Sequence, residues 1–169
     1  MELPEVIERF ENNSKAFSVL LGNVTEEQIY WKPEGKWSLL EIICHLYDEE
    51  REDFRQRLKL TLENPEQDWP KINPEGWVTE RKYLEQDFRV SLTGFLNERY
   101  KSIEWLKSLQ NPNWLHTHIH PTIGEMSASF ILYNWIAHDY LHLRQITKTL
   151  YSYLEDNIKP VSLKYAGEW

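Results

Sequence analysis

The sequence contains little cysteine, little glycine and no long run of apolar residues. Its single cysteine, Cys44, cannot form an internal disulfide, so the chain does not resemble a small secreted domain. No apolar stretch reaches the roughly 20 residues that a membrane-spanning helix needs. The first residues contain neither the basic nor the apolar segment of a signal peptide. We therefore expect a cytoplasmic protein without a membrane partner.

Basic residues are also scarce relative to acidic ones. The 169 residues include 19 lysines and arginines against 27 aspartates and glutamates, which gives a formal net charge of −8. Nucleic acids and anionic membranes attract basic surfaces, so neither is an expected partner. The motifs G-x-S-x-G, G-x-x-x-x-G-K-[ST] and G-x-G-x-x-G do not occur either. Their absence disfavours α/β serine hydrolases, P-loop NTPases and dinucleotide-dependent oxidoreductases.

The sequence contains several long amphipathic stretches. Helical periodicity and capping signals predict a single domain over residues 1–169 with four long helices. These predicted helices are 4–21, 38–62, 79–109 and 122–154. Capping boxes at Ser38–Glu41 and Thr122–Glu125 mark the starts of the second and fourth, and another at Thr25–Gln28 opens a short helix.

The proline-rich residues 63–78 separate the second and third helices by more than a tight turn needs. We predict that this loop crosses one end of the domain. The fold class is therefore all-α, a four-helix bundle with a long crossover between helices 2 and 3. Gly94 interrupts the third helix and predicts a local bend or a close packing contact.

The fourth predicted helix is apolar on more than one side. A stripe of leucine and isoleucine lies roughly 120–160° around the helix from His138. A helix with two apolar faces is either central in the fold or covered by a partner. We therefore predict a homodimer formed through this stripe, which consists of Leu132, Ile136, Leu143 and Leu150.

His138 and His142 stand four residues apart on the same helix. Side chains at this spacing lie ~40° apart around the axis and ~6 Å apart along it, so two imidazoles can reach one ion. Their face also carries Asn134 and Gln145, which a purely apolar core stripe would not. The pair fits a metal site, and it equally fits two hydrogen-bonded, partly buried histidines.

His45 lies on the acidic side of the second predicted helix, close to Glu41 and Glu49. It is either an exposed histidine on a charged surface or a metal ligand at the mouth of a cleft. Glu49, one turn further on, could orient the imidazole of His45 or accept a proton from a metal-bound water. A solvated helix glutamate is the third possibility for that residue.

Three further histidines, His116, His118 and His120, alternate in a segment that we predict to be an extended loop. In an extended chain the three side chains point the same way, which would suit a second metal site. No partner residue is evident in the sequence, so we favour an ordinary polar loop.

Several segments together resemble the DinB/YfiT-like metalloenzyme family. Residues 31–50, WKPEGKWSLLEIICHLYDEE, resemble its second-helix signature, and residues 25–29 resemble the turn that leads into that helix. Residues 120–125 and 138–146 resemble its last helix. The resemblance spans nearly the whole chain, with the segments in the same order.

The resemblance implies a four-helix bundle that holds a divalent metal ion, usually nickel or zinc, through three histidines. By position these are His45, His138 and His142. It also implies a tendency to form dimers. Related proteins include transferases and isomerases that use low-molecular-weight thiols, hydrolases, and members without a known activity.

We therefore expect a metal-dependent enzyme of the thiol-transferase type that uses a low-molecular-weight thiol and a small-molecule substrate. The alternatives are a metal-dependent hydrolase and a non-catalytic metal-binding or structural dimeric bundle. A divalent ion makes a coordinated thiol or water more acidic, which serves either enzyme. Glu49 is the candidate base, and Trp37 and Trp135 are candidates for the pocket wall.

Overall fold

Four long helical rods form a bundle in the computed structural model, which describes residues 2–167. The helices are α1 (Leu3–Gly22), α2 (Glu26–Tyr30), α3 (Leu39–Glu49), α4 (Arg55–Glu63), α5 (Pro74–Glu80), α6 (Phe88–Ser108) and α7 (Ala128–Asn157). In chain order the rods are α1, then α3 continued by α4, then α6, then α7. Two strands, β1 (Thr117–His120) and β2 (Gly124–Ser127), pair antiparallel. None of the helices within the described residues combines the length and the apolar character needed to cross a membrane.

The first predicted helix and the short second one are confirmed. Pro4 lies in the first turn of α1, and Thr25 caps α2 by accepting a hydrogen bond from the Gln28 backbone N–H. Ser38 likewise caps α3 through the Glu41 N–H, while the Glu41 side chain bonds back to the Ser38 N–H. This reciprocal pair satisfies two backbone donors that a helix start leaves free.

The second predicted helix, 38–62, is one rod with a π-helical turn in its middle. Residues Glu50–Phe54 form that turn between α3 and α4. A π turn accommodates about one residue more than the α-helix would, and so changes which side chains align before and after it. The sequence pattern gave no sign of this turn.

The third helix begins later than predicted. We expected it from residue 79, whereas α6 starts at Phe88, where Asp87 accepts a hydrogen bond from the Val90 N–H. Lys82 has a φ of 50°, which ends the preceding segment because the left-handed region cannot continue a helix. The connection between the second and third rods therefore spans residues 64–87 and includes α5.

The fourth helix also begins later than the predicted 122. Residues 117–127 form a hairpin, with His120 opposite Gly124 and Thr117 opposite Ser127. Gly124 has a φ of 89°, a conformation that glycine adopts freely and that the predicted capping box would not allow. Ser127 provides the true cap of α7 by accepting a hydrogen bond from the Phe130 N–H.

The core fills the space between the four rods. The rod α6 packs against α1 and α3, and α7 packs against α1 and α4. Leu132 and Ile136 of the second apolar stripe are buried in this core, and Leu143 and Leu150 are partly buried against it. The chain's own helices thus cover most of the stripe from which we predicted a dimer, so that stripe supplies little free surface for one.

Candidate metal centre

Three histidines from two rods converge in the interior. His45 projects from α3, about two turns after its Ser38 cap, and His138 and His142 project from the middle of α7. The His45 ring centroid lies 5.6 Å from that of His138 and 4.9 Å from that of His142. Each ring offers a nitrogen, and these nitrogens all lie within 4.8 Å of one another.

The spacing of the nitrogens suits a common ion. His138 Nε2 and His142 Nε2 are 3.0 Å apart. Two imidazole nitrogens that each bind zinc at about 2.05 Å in tetrahedral geometry are about 3.3 Å apart. Neutral imidazole is a ligand for zinc and nickel alike, so the donor set fits a divalent transition metal.

Glu49 brings a carboxylate to the same point. Its Oε2 lies 3.0 Å from His138 Nε2 and 3.7 Å from His45 Nε2. Both His45 and Glu49 are buried, so His45 is not the exposed surface histidine that its acidic helix face allowed. Glu49 is likewise not a solvated helix glutamate, because it lies among the imidazole nitrogens.

Burial keeps the imidazoles of His45 and His142 neutral. Desolvation lowers the pKa of His45 to about 4, although the negative charge of Glu49 acts in the opposite direction. Desolvation, reinforced by the charges of His138 and His45, lowers the pKa of His142 to about 2. Near neutral pH both rings therefore carry the free electron pair that a metal ion needs.

The carboxylate of Glu49 is held in its ionised form. Burial alone would raise the pKa of Glu49, but the hydrogen bond with His138 and the charges of His138, His45 and Arg57 outweigh it. The net effect is a pKa below the usual range for glutamate. A negative charge therefore sits against the ring nitrogens, where it would favour a cation.

A buried arginine ties the two ligand-bearing rods together. The guanidinium of Arg99 on α6 donates to both carboxylate oxygens of Glu50 and to both of Asp139. Glu50 directly follows Glu49, and Asp139 directly follows His138. Sequence reasoning missed this network, since nothing in the pattern of α6 distinguishes Arg99 from a surface arginine.

Aromatic rings flank the histidines. The Trp37 ring lies 4.9 Å from His45, and Phe54 lies 5.0 Å from His138. Trp135 is only 1% exposed, and its Nε1–H donates to Glu50. Trp37 is thus placed beside a candidate ligand, whereas Trp135 belongs to the core and supports the site through Phe54 rather than facing a ligand.

The other three histidines lie elsewhere. The Nδ1–H of His116 donates to the Leu62 carbonyl, and that of His118 donates to the Pro65 carbonyl. His120 accepts backbone hydrogen bonds in the turn of the hairpin. Within residues 2–167 the three do not form a cluster suited to a metal ion. The segment that we predicted as an extended loop forms strand β1 of the hairpin from Thr117 onward.

Comparisons with known proteins identify the fold. A family model described as the DinB superfamily matches residues 9–146. The solved structure of YfiT from Bacillus subtilis, described as a probable metal-dependent hydrolase with an unusual four-helix bundle topology, superposes with a TM-score of 0.78. The two chains share 18% identity, and the match covers 88% of this chain and 85% of that one. A comparison with curated proteins found no match.

Proposed function

This chain belongs to the DinB superfamily, and we propose that it is a metal-dependent hydrolase with His45, His138 and His142 as the ligands of a divalent ion. Nickel or zinc is the ion that we propose. Glu49 is the proposed general base. The observation that carries this proposal is the placement of an ionised, buried carboxylate 3.0 Å from a ligand nitrogen.

The ion, when bound, would supply positive charge that makes a coordinated water more acidic. Glu49 would accept the proton of that water through Oε2, because this oxygen faces the ring nitrogens of His138 and His45. His138 is the most exposed of the three ligands, with 20% of its side chain accessible, so a substrate would approach from its side. The description of YfiT as a probable metal-dependent hydrolase supports this choice.

A thiol transferase that uses a low-molecular-weight thiol is the second candidate. The lowered pKa of Glu49 favours it, because a weak base takes a proton more readily from a thiol than from water. The residues and their positions are the same in both proposals. Only the nucleophile differs.

The test measures metal content and turnover on the same samples. The protein is loaded with zinc or nickel and assayed on a panel of esters and amides, with and without added thiol. We expect Glu49→Gln to retain its ion and to lose roughly 10²–10⁴-fold in rate. Glu63→Gln is the matched control, since Glu63 is an exposed glutamate at the end of the same rod.

Each outcome distinguishes the candidates. Metal-dependent cleavage without thiol supports the hydrolase, and turnover only with thiol supports the transferase. Full activity in Glu49→Gln contradicts the assigned base. A bound ion without any turnover leaves the non-catalytic metal-binding bundle, and the absence of an ion in the wild type contradicts all three.

We also propose that the protein is a homodimer. Because most of the second apolar stripe is buried, the surface proposed for the contact is the exposed side of α7, which carries Phe130, Tyr133, Tyr140 and Leu141. Light scattering should give twice the monomer mass for the wild type. Leu141→Glu should give the monomer mass without loss of helix content.

A further inference from the structure

A cavity of about 460 Å³ lies beside the histidine hairpin, apart from the three candidate ligands. The loop between α4 and α5 forms one wall and the turn between β1 and β2 forms another. Its lining is rich in hydrogen-bond donors, which include Arg57, Trp69, Lys71 and His120. Asp68 is the only acidic residue among those that line it.

Arg57 is held in place, and the two terminal nitrogens of its guanidinium are unused. Its Nε lies 2.8 Å from Asp53 Oδ1, and its guanidinium stacks 4.9 Å from the centre of the Trp69 ring. Within residues 2–167, neither terminal nitrogen of Arg57 forms a hydrogen bond, and Lys71 has no ion-pair partner. A planar pair of donors on a fixed cation is the geometry that binds carboxylates and phosphates.

His120 and Trp69 complete the lining. The Nδ1 of His120 accepts hydrogen bonds from the Thr122 and Ile123 backbone N–H groups, so its Nε2 carries the proton. The indole Nε1–H of Trp69 is buried and has no partner in the described part of the chain. The ring of Trp69, on which the Arg57 guanidinium stacks, thus forms a wall of the cavity.

We propose that this cavity binds one oxyanion group, a carboxylate or a phosphate, of a small molecule. Arg57 and Lys71 provide the charge, His120 provides a neutral donor, and the ring of Trp69 forms a wall. Where this group is part of the substrate, the inference rests on the proposed function, and Arg57 then determines specificity.

The rod α3–α4 connects the cavity to the candidate metal centre. Glu49, Asp53 and Arg57 follow one another at intervals of four residues along it. Asp53, which pairs with Arg57, lies between Arg57 and Glu49 along the rod, and Phe54 contacts His138. Eight helical residues span about 12 Å, so a substrate with its anionic end at Arg57 would extend about that far toward the histidines.

The first experiment uses metal-free protein, so that its result does not depend on the metal centre. Nitrogen-15-labelled protein is titrated with succinate in one arm and with ethyl phosphate in the other, at constant ionic strength set with chloride. We expect the indole N–H resonance of Trp69, assigned with Trp69→Phe, to shift in a saturable manner. The arm that saturates at lower concentration identifies the preferred oxyanion.

Variants test the assignment. Arg57→Gln should weaken binding by about tenfold or more, because a charge-assisted pair of hydrogen bonds is lost. Lys71→Gln, at an exposed position, should weaken it less and should leave the fold unchanged. The matched control is Arg9→Gln on the exposed side of α1, which should bind the anion as the wild type does.

Two results would overturn the inference. One is a Trp69 resonance that stays in place in both arms. The other is an Arg57→Gln variant that binds the anion as tightly as Arg9→Gln. A second experiment, on metal-loaded protein, compares esters that differ only in a terminal carboxylate, and a KM that is equal for both contradicts the substrate role alone.

Discussion

Arg99 and Asp139 form a bidentate ion pair in the centre of the bundle, with both hydrogen bonds at 2.7 Å and both side chains essentially inaccessible to solvent. The side-chain amide of Asn13 donates to the same carboxylate. The backbone of Asp139 continues directly from His138, so this pair also fixes where α7 presents its first candidate ligand.

Replacing Arg99 by methionine should destabilise the protein severely. The carboxylates of Glu50 and Asp139 would lose their counter-charge in the interior, and breaking a buried pair in this way costs about 3–5 kcal/mol. Urea unfolding at neutral pH measures the change. Lys101→Met on the exposed side of α6 is the control and should cost less than about 1 kcal/mol. An equal loss in both variants would contradict this account.

Removing one ligand should abolish tight metal binding. His142→Ala leaves two imidazoles, and we expect the affinity for zinc or nickel to fall by more than the roughly 10–100-fold that outer partners of a metal contribute. Chelator competition gives the affinities. His116→Ala should bind as the wild type does, because His116 lies at the hairpin and bonds to the Leu62 carbonyl.

The metal-free protein should lose stability as the pH falls from about 6.5 to about 4. The unfolded chain takes up protons on His45 and His142 near pH 6.5, whereas the folded chain binds them only at about pH 4 and about pH 2. Each histidine should therefore remove up to about 1.4 kcal/mol per pH unit within its window.

The titration of Asp53 opposes part of this loss of stability at low pH. Burial raises its pKa to about 6, so the folded state binds its proton before the unfolded state does. The contribution of His142 is isolated by comparing the wild type with His142→Asn in urea unfolding at a series of pH values. The difference in unfolding free energy should change with pH, and two parallel profiles would show that His142 is not kept neutral.

Gly94→Ala should destabilise α6 against α3. A Cβ at this position would lie 2.9 Å from the Tyr47 ring, so the close packing contact predicted from the sequence is the role that the structure assigns. We expect a net cost of up to about 2 kcal/mol, because overpacking costs about 1–3 kcal/mol and alanine regains about 1 kcal/mol of helix propensity. Gly22→Ala is the control, since nothing lies within 4 Å of the added atom. Tyr47→Leu should restore part of the stability, measured by thermal unfolding.

Local sequence patterns correctly predicted the features that depend on neighbouring residues alone. The capping box at Ser38 fixes the start of α3, and the four-residue spacing of His138 and His142 puts both rings on one face. His45 could not be assigned from periodicity, because its helix face is acidic. Only the packing of α3 on α7 shows that this face is turned inward.

Other features leave no mark in the helical periodicity of the sequence. The start of α6 at Phe88 and the hairpin before α7 follow from two local backbone conformations, at Lys82 and Gly124, that helical periodicity does not report. The buried role of Arg99 requires Glu50 and Asp139 to meet across the bundle, although they lie 49 residues before and 40 residues after it in the chain. No pattern within one helix carries that information.

The π turn at Glu50–Phe54 sets the angular phase between the two halves of its rod. In an unbroken α-helix, Glu49 and Arg57 would be about 80° apart around the axis, whereas one accommodated extra residue brings them to within about 20°. Deletion of the accommodated residue would restore an unbroken α-helix with seven steps of about 100° between the two side chains, so α4 would keep its phase, whereas closing the turn to α geometry without a deletion would rotate α4 by about 100°. The turn therefore sets the angle between α3 and α4, and with it whether the cation of Arg57 shares a helix face with the carboxylate of Glu49.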